Sequence, residues 1–312
     1  MIPAYHPSDN PSWVVIVNPV SANGRTGRQW PRNEALLKNI LPPFEAWQTT
    51  HPGHAGELAR KAVDLGFTTI AVHGGDGTIN EVVNGLLNHS ADRVPLALLP
   101  NGTGADLVRS LGISHNLSQA ARQALQGFAQ PIDIGQCEFI DLKGQAAQRY
   151  FANVTDVGFG GDLVRYVNSH SKRLGGKLSF LKGLLVTLFR YHNKRILITL
   201  DDQEDFEMVA SSVVIANGQY FGGGMWVAPE ARLTDGIFEV VMVGDVSKLD
   251  VLANTKRLYQ GTLAEHPKVK TAKSGIVSFT SEEEVLIDLD GELVGRLPAR
   301  FQILPQRLSV IY

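Results

Sequence analysis

Residues 69–80, Thr-Ile-Ala-Val-His-Gly-Gly-Asp-Gly-Thr-Ile-Asn, decide the fold. Thr69–Val72 is a short apolar run with the character of a buried strand, ended abruptly by glycines. Ile79, Val82, Val83, Leu86 and Leu87 then recur at helical spacing. A strand that turns through glycines into a helix is one half of a parallel βαβ repeat. The glycines can take positive φ and let backbone N–H groups approach a ligand. The helix start that follows offers unpaired donors and a positive dipole end, which suits phosphate. Asp76 is what a pure anion cradle would avoid, unless it holds magnesium or orients the turn. A plain strand-to-helix connection with Thr78 near the cap fits the same residues.

Outward from this stretch the alternation continues. Trp13–Val17 reads as a buried strand, 18–27 as a Gly- and Asn-containing turn, and Gly56–Leu65 as a helix with Leu58, Ala59, Ala62 and Leu65 on one face. Leu96–Leu99 is a third strand and Ser118–Leu125 another helix. Such alternation predicts an α/β domain with a parallel sheet. The pattern changes near Pro131. Arg149–Val154, Ile196–Leu200, Val209–Ala216, Phe238–Val243, Gly275–Phe279, Val285–Leu289 and Phe301–Leu304 read as strands, with turn signals at Asn217-Gly218 and Asp235-Gly236. Consecutive strands without helices between them predict an antiparallel β-sandwich or open barrel. Two helical insertions interrupt it, roughly 161–192 and 248–260. The reading is α/β plus all-β: an α/β domain over 1–131 and a β-rich domain over 132–301, with the last strand, about 302–312, free to return to the first.

Composition narrows the function. Apolar residues at 44% and charged residues at 19% of 312 describe an ordinary globular chain. A formal net charge of -2 gives no support to nucleic-acid binding. With Cys137 alone there is no intramolecular disulfide and no cysteine metal site, which fits a reducing cytoplasm. The start, MIPAYHPSDNPSW, lacks the basic and apolar regions of a secretory signal, and Phe180–Phe189 is too short to cross a bilayer. The histidines show no convincing zinc spacing.

A second glycine-rich turn follows a strand in Leu99-Pro-Asn-Gly-Thr-Gly-Ala-Asp-Leu107. In an open α/β sheet ligands sit at the carboxyl ends of neighbouring strands, so the two turns suit one cleft. No G-x-x-x-x-G-K-[ST] is present, and Leu107 stands where a dinucleotide fingerprint needs its third glycine.

Gly-Gly-Asp-Gly-Thr-Ile-Asn together with Gly-Thr-Gly-x-Asp resembles the diacylglycerol kinase catalytic-domain family, which includes bacterial lipid kinases, sphingosine kinases and ceramide kinases. The first motif is also similar to NAD kinases and phosphofructokinases. Asn18-Pro19 with Gly24 and Gly27, Thr50 with Gly53-His54-Ala55, and Asp290-Gly291-Glu292 extend the resemblance over nearly the whole chain. It implies an ATP- and magnesium-dependent lipid kinase of phospholipid metabolism. Gly74, Gly75, Asp76, Gly77, Thr78, Ile79 and Asn80 would wrap the ATP phosphates, with Asn18, Thr50, Gly102 and Thr103 at further nucleotide positions. Asp290 takes the place of the general base, beside Glu292, and Asp76 joins the catalytic set. Asp235, with the backbone carbonyls of Arg232 and Ile237, matches a magnesium site. Ala105 departs from the family's usual asparagine.

Read by itself, Asp290-Gly291 follows a strand, and Asp288 and Asp290, two apart, share one face of it. A carboxylate near a triphosphate can accept the proton of an attacking alcohol, although Asp-Gly is equally a favoured hairpin turn. Ser171–Arg195 mixes Lys172, Arg173, Lys177, Lys182 and Arg190 with leucines. It fits either peripheral contact with the inner, anionic membrane face or a helix packed on the sandwich with a basic rim. The resulting expectation is γ-phosphate transfer from ATP to a lipid hydroxyl, diacylglycerol-like first. A soluble-substrate kinase of the NAD kinase type and a non-catalytic nucleotide-binding regulator are the alternatives. The lipid's identity and homo-oligomerisation stay open.

Overall fold

The computed structural model describes residues 12–89, 94–101, 105–170, 176–201 and 203–312. The first part alternates as β1 (Trp13–Val17), α1 (Arg25–Lys38), β2 (Phe44–Gln48), α2 (His54–Asp64), β3 (Thr69–Gly74), α3 (Asp76–Leu87), β4 (Leu96–Pro100), α4 (Asp106–Ser110) and α5 (Leu117–Gln126). The strands pair in parallel in the order β4-β3-β1-β2, and Val310 and Ile311 add in parallel on the other side of β4. β1, β3 and β4 are buried along their whole length. That is why they read as unbroken apolar runs and not as alternation. Helices α2 and α3 meet backbone to backbone: a Cβ on Gly85 would lie 2.4 Å from the Gly56 carbonyl oxygen.

α1 corrects the sequence reading, which ran a turn as far as Gly27 and placed no helix after it. The helix starts at Arg25 and carries Pro31 inside it. An internal proline removes a helical hydrogen bond. Burial of Trp30 and Leu37 against the sheet side holds the helix in spite of that.

The second part runs β5 (Ala129–Asp141), β6 (Ala146–Phe151), β7 (Val154–Gly158), α6 (Phe159–His170), α7 (Gly176–Arg190), β8 (Lys194–Leu200), β9 (Phe206–Ala210), β10 (Ser212–Ala216), β11 (Tyr220–Phe221), β12 (Met225–Trp226), β13 (Phe238–Val243), α8 (Lys248–Gln260), β14 (Val269–Ser274), β15 (Ile276–Thr280), β16 (Leu286–Leu289) and β17 (Glu292–Ile311). One antiparallel set follows the order β14-β13-β10-β7-β16-β17, and β17 also carries β15, which leads to β8 and β9. The long β17 thus serves both layers of a sandwich. Phe151, Phe238, Phe279 and Phe301 fill it, and Phe301 meets Phe279 edge-on at 5.6 Å. Such pairs add about 0.5–1.5 kcal/mol beyond area burial.

The chain forms two compact units, 1–103 with 111–130 and 308–312, and 104–110 with 131–307. Residues 104–110 therefore leave the α/β unit ahead of the change of pattern at Pro131. The Asp106 carboxylate accepts from Gly223 N at 2.7 Å, and Ser110 Oγ accepts from Gln219 N at 3.1 Å. These bonds tie α4 to the β-rich unit.

Candidate active site

In the first unit the carboxyl ends of β1, β3 and β4 bring several of the expected residues together. Asn18 Nδ2 donates to Thr78 Oγ1 at 2.9 Å, Asn18 N donates to the His73 carbonyl, and Asn101 N donates to the Gly74 carbonyl. The turn does not use left-handed glycine: Gly74, Gly75 and Gly77 are absent from the positive-φ residues. Close approach is the reason for Gly74, where a Cβ would lie 2.7 Å from Thr78 Oγ1. Above Gly75 nothing comes within 4 Å of a Cβ position, so the backbone lies open to a ligand.

Thr78 N and Ile79 N both donate to the Gly75 carbonyl. The turn ahead of them is thus the part that can meet an anion. Ile79 and Asn80 are buried in α3, and Asn80 Oδ1 accepts from Asn84 Nδ2. Asp76 opens the helix, where a carboxylate is favoured by the dipole. Gly102 and Thr103 lie outside the described residues.

Two residues at this site were missed by sequence reasoning. Glu81 accepts from Gly53 N at 2.8 Å and Ala55 N at 3.1 Å, capping α2 from α3 and fixing the loop that carries Thr50. His73, buried beneath the turn, is the other. Its Nδ1 lies 2.9 Å from the Leu99 carbonyl, and its Nε2 lies 3.1 Å from Asn33 Nδ2 and 3.3 Å from Asn101 Nδ2. A carbonyl only accepts and an amide nitrogen only donates, so the imidazole is neutral with its proton on Nδ1. Burial lowers its pKa, partly opposed by the Leu99 carbonyl.

Thr50 Oγ1 and N sit 3.0 Å from His54 Nδ1. His51, His54 and Glu57 hold one ligand atom each within 4.8 Å of the others. The two rings, however, stack 4.5 Å apart and 10° from parallel. Imidazole lone pairs lie in the ring plane, so stacked rings do not converge on one ion.

In the second unit Asp290 does not continue the strand face expected from Asp288. It sits in a left-handed turn with φ 50, beyond the end of β16. Its carboxylate accepts from Ala152 N at 2.9 Å, Asn153 N at 3.0 Å and Val154 N at 3.1 Å. Asn153 holds that bend in turn. Its Nδ2 donates to the Tyr220 carbonyl at 2.6 Å and its Oδ1 accepts from Ser110 Oγ at 3.3 Å. Glu292 pairs with Arg149.

Asp288 instead faces Asp156 across the β16–β7 ladder. Both are buried, and α6 packs on β7 and β16, with Gly160 N donating to Asp156 Oδ1 at 3.2 Å. Ser212 Oγ also donates to Asp156. Burial pushes the Asp156 carboxyl up to about 6. Burial first, then the neighbouring Asp156, pushes Asp288 up to about 8. This pair was not legible as a site, because it depends on the register of two distant strands.

Asp235 Oδ1 accepts from Ile237 N at 3.3 Å. Asp133 braces the same loop, accepting from Gly236 N and from Gln306 N, each at 2.7 Å. Ala105 is buried with φ 55, a left-handed conformation that asparagine tolerates better than alanine. Of the basic helix, Lys172 and Arg173 lie outside the described residues. In its later half Leu188 is buried, while Leu185, Phe189, Lys182 and Arg190 are exposed. Among the described residues no helix is long and apolar enough to cross a membrane.

Comparisons with known proteins agree with this architecture. A family model for the diacylglycerol kinase catalytic domain matches residues 12–137, and one for the YegS C-terminal NAD kinase beta sandwich-like domain matches 153–312. The chain is 32% identical over 307 residues to a diacylglycerol kinase of Bacillus subtilis, covering 95% of each. It is 29% identical over 299 residues to a diacylglycerol kinase of Staphylococcus carnosus, covering 95% of this chain and 93% of that one. A crystal structure of a diacylglycerol kinase from Bacillus anthracis shares the fold, with a TM-score of 0.69, 22% identity and 96% of each chain covered.

Proposed function

We propose, from the premise that the chain belongs to the diacylglycerol kinase catalytic-domain family, that it transfers the γ-phosphate of ATP to a lipid hydroxyl, diacylglycerol-like first. The observation that carries this reading is the turn 74–77, open above Gly75 and braced by Asn18 and Asn101 at the ends of adjacent strands. Backbone N–H groups at a helix start bind phosphate without a charged side chain. Asn18 and Thr78 shape the turn, and Thr50 and Thr103 make further nucleotide contacts.

Asp290 takes the proton as the lipid oxygen attacks the γ-phosphorus and the bond to the β-phosphate oxygen breaks, leaving ADP and the phosphorylated lipid. Three N–H donors fix the orientation of its carboxylate. A loose transition state leaves the alcohol proton in place until late, so placement matters more than basicity. Glu292, tied to Arg149, keeps a second negative charge beside it. Magnesium, when bound, offsets the charge of the transferring phosphoryl group. Asp76 would hold it, and the hard oxygen set of Asp235 with the Arg232 and Ile237 carbonyls suits a further magnesium ion. The exposed Leu185, Phe189, Lys182 and Arg190 of α7 support peripheral contact with an anionic bilayer.

Labelled phosphate transfer from ATP to a panel of lipids in mixed micelles tests the reading. Diacylglycerol should be labelled ahead of sphingoid bases and polyprenols. Transfer to NAD but to no lipid would replace it with a soluble-substrate kinase.

A further inference from the structure

His73 stands where three segments of the first unit meet, and each of its polar ring atoms is committed. Nδ1–H donates to the Leu99 carbonyl, while the Nε2 lone pair faces Asn33 Nδ2 of α1 and Asn101 Nδ2. Trp30 lies against the ring at 5.5 Å. Asn101 opens the second glycine-rich turn, and its backbone is anchored as well: its N–H donates to Gly74 and its carbonyl accepts from Thr26 Oγ1 at 3.4 Å. The His73 carbonyl accepts from Asn18 N. The phosphate turn and the residue that begins the next turn are thus joined both through the main chain and through one imidazole.

We infer that His73 is a positioning residue for nucleotide binding: its neutral ring, through Nε2, sets the Asn101 amide beside turn 74–77. This rests on the reading of turn 74–77 as the phosphate site. A ring that merely filled space could be replaced by any apolar side chain of similar size. One that orients an amide needs an acceptor at Nε2, a donor at Nδ1, and no charge. The groups that meet the ring (Trp30 and Asn33 from α1, Leu99 from β4, and Asn101) carry none. An imidazolium would point an N–H at two amide nitrogens, so protonation breaks the arrangement.

The test compares His73→Leu and His73→Gln in steady-state phosphate transfer. His73→Leu should raise KM for ATP about tenfold with kcat within about twofold, the loss of buried hydrogen bonds from a binding step. His73→Gln, which offers both a donor and an acceptor, should recover most of it. An unchanged KM for ATP in His73→Leu overturns the inference, as does a Gln variant no better than the Leu variant. If His73→Leu does not fold, Asn101→Ala carries the test. It should raise KM for ATP by a similar factor, and no further when combined with His73→Gln. Additive losses there overturn the inference. Gly74→Val separates the premise, since its side chain collides with Thr78. If that variant binds ATP normally, turn 74–77 is not the phosphate site, whatever His73 does.

Discussion

The two halves of the candidate machinery bury titratable groups in opposite senses. Beneath the turn 74–77, His73 is held neutral by losing its proton affinity. Under α6 in the β-rich unit, burial instead raises the proton affinity of Asp156 and, further, of Asp288. The physical cause is shared, because burial penalises whichever form is charged. The consequence for pH is opposite. For His73 the unfolded chain binds the proton first as pH falls below about 6.5, so stability is lost on the acid side. For the carboxylate pair the folded chain retains protons that the unfolded chain releases near pH 4, so stability falls as pH rises, through about 6 and about 8. One region buries an imidazole among uncharged partners; the other buries a pair of carboxyls next to a third that accepts three backbone N–H bonds.

The largest expected effect comes from the carboxylate held by three backbone N–H groups. Asp290→Asn should lower turnover by roughly 10³-fold while leaving ATP affinity within about threefold. Phosphate transfer and nucleotide binding measured on the same preparation check this, and near-normal turnover removes the base assignment. Next, Asp288→Asn should raise the melting temperature at pH 9 by about 2–4 °C and change it little at pH 5. A melting series across that range reads it. A gain equal at both ends would mean that burial of the proton is not the cause. On the acid side, indole emission from Trp30 should fall as His73 becomes protonated, with a midpoint below 6.5, and His73→Gln should abolish the transition. A midpoint above 6.5 would contradict the uncharged surroundings of the ring. Smallest, Ala105→Gly should stabilise the fold by about 0.5 kcal/mol, the left-handed strain relieved less the added freedom of the unfolded chain. Denaturant unfolding checks it.

Much of this was legible from residue order. Glycines between an apolar run and a helical stripe announced the turn from β3 into α3, and the shift to consecutive strands after Pro131 announced the sandwich. Local periodicity was enough where neighbours in the chain are neighbours in space. It failed where the decisive contact is distant. Asp290 reaches Ala152–Val154, Glu81 reaches Gly53 and Ala55, and Asp106 reaches Gly223. Helix α1 was hidden by Pro31, and Asp288 was assigned the company of Asp290 because alternation was carried past the end of its strand. The glycines of the turn were read correctly as necessary, but for conformational freedom; at Gly74 the need is space beside Thr78.

Strand β17 has a consequence for how the protein is made. Val310 and Ile311 pair with Leu96 and Ala97, so the parallel sheet of the first unit is complete only after the chain of the β-rich unit has been synthesised. Until residues 308–312 are available, that side of β4 is an open edge. An N-terminal domain that folds first on the ribosome is the common order. Here the parallel sheet waits, open to edge pairing, for a segment that follows the whole β-rich unit in the chain.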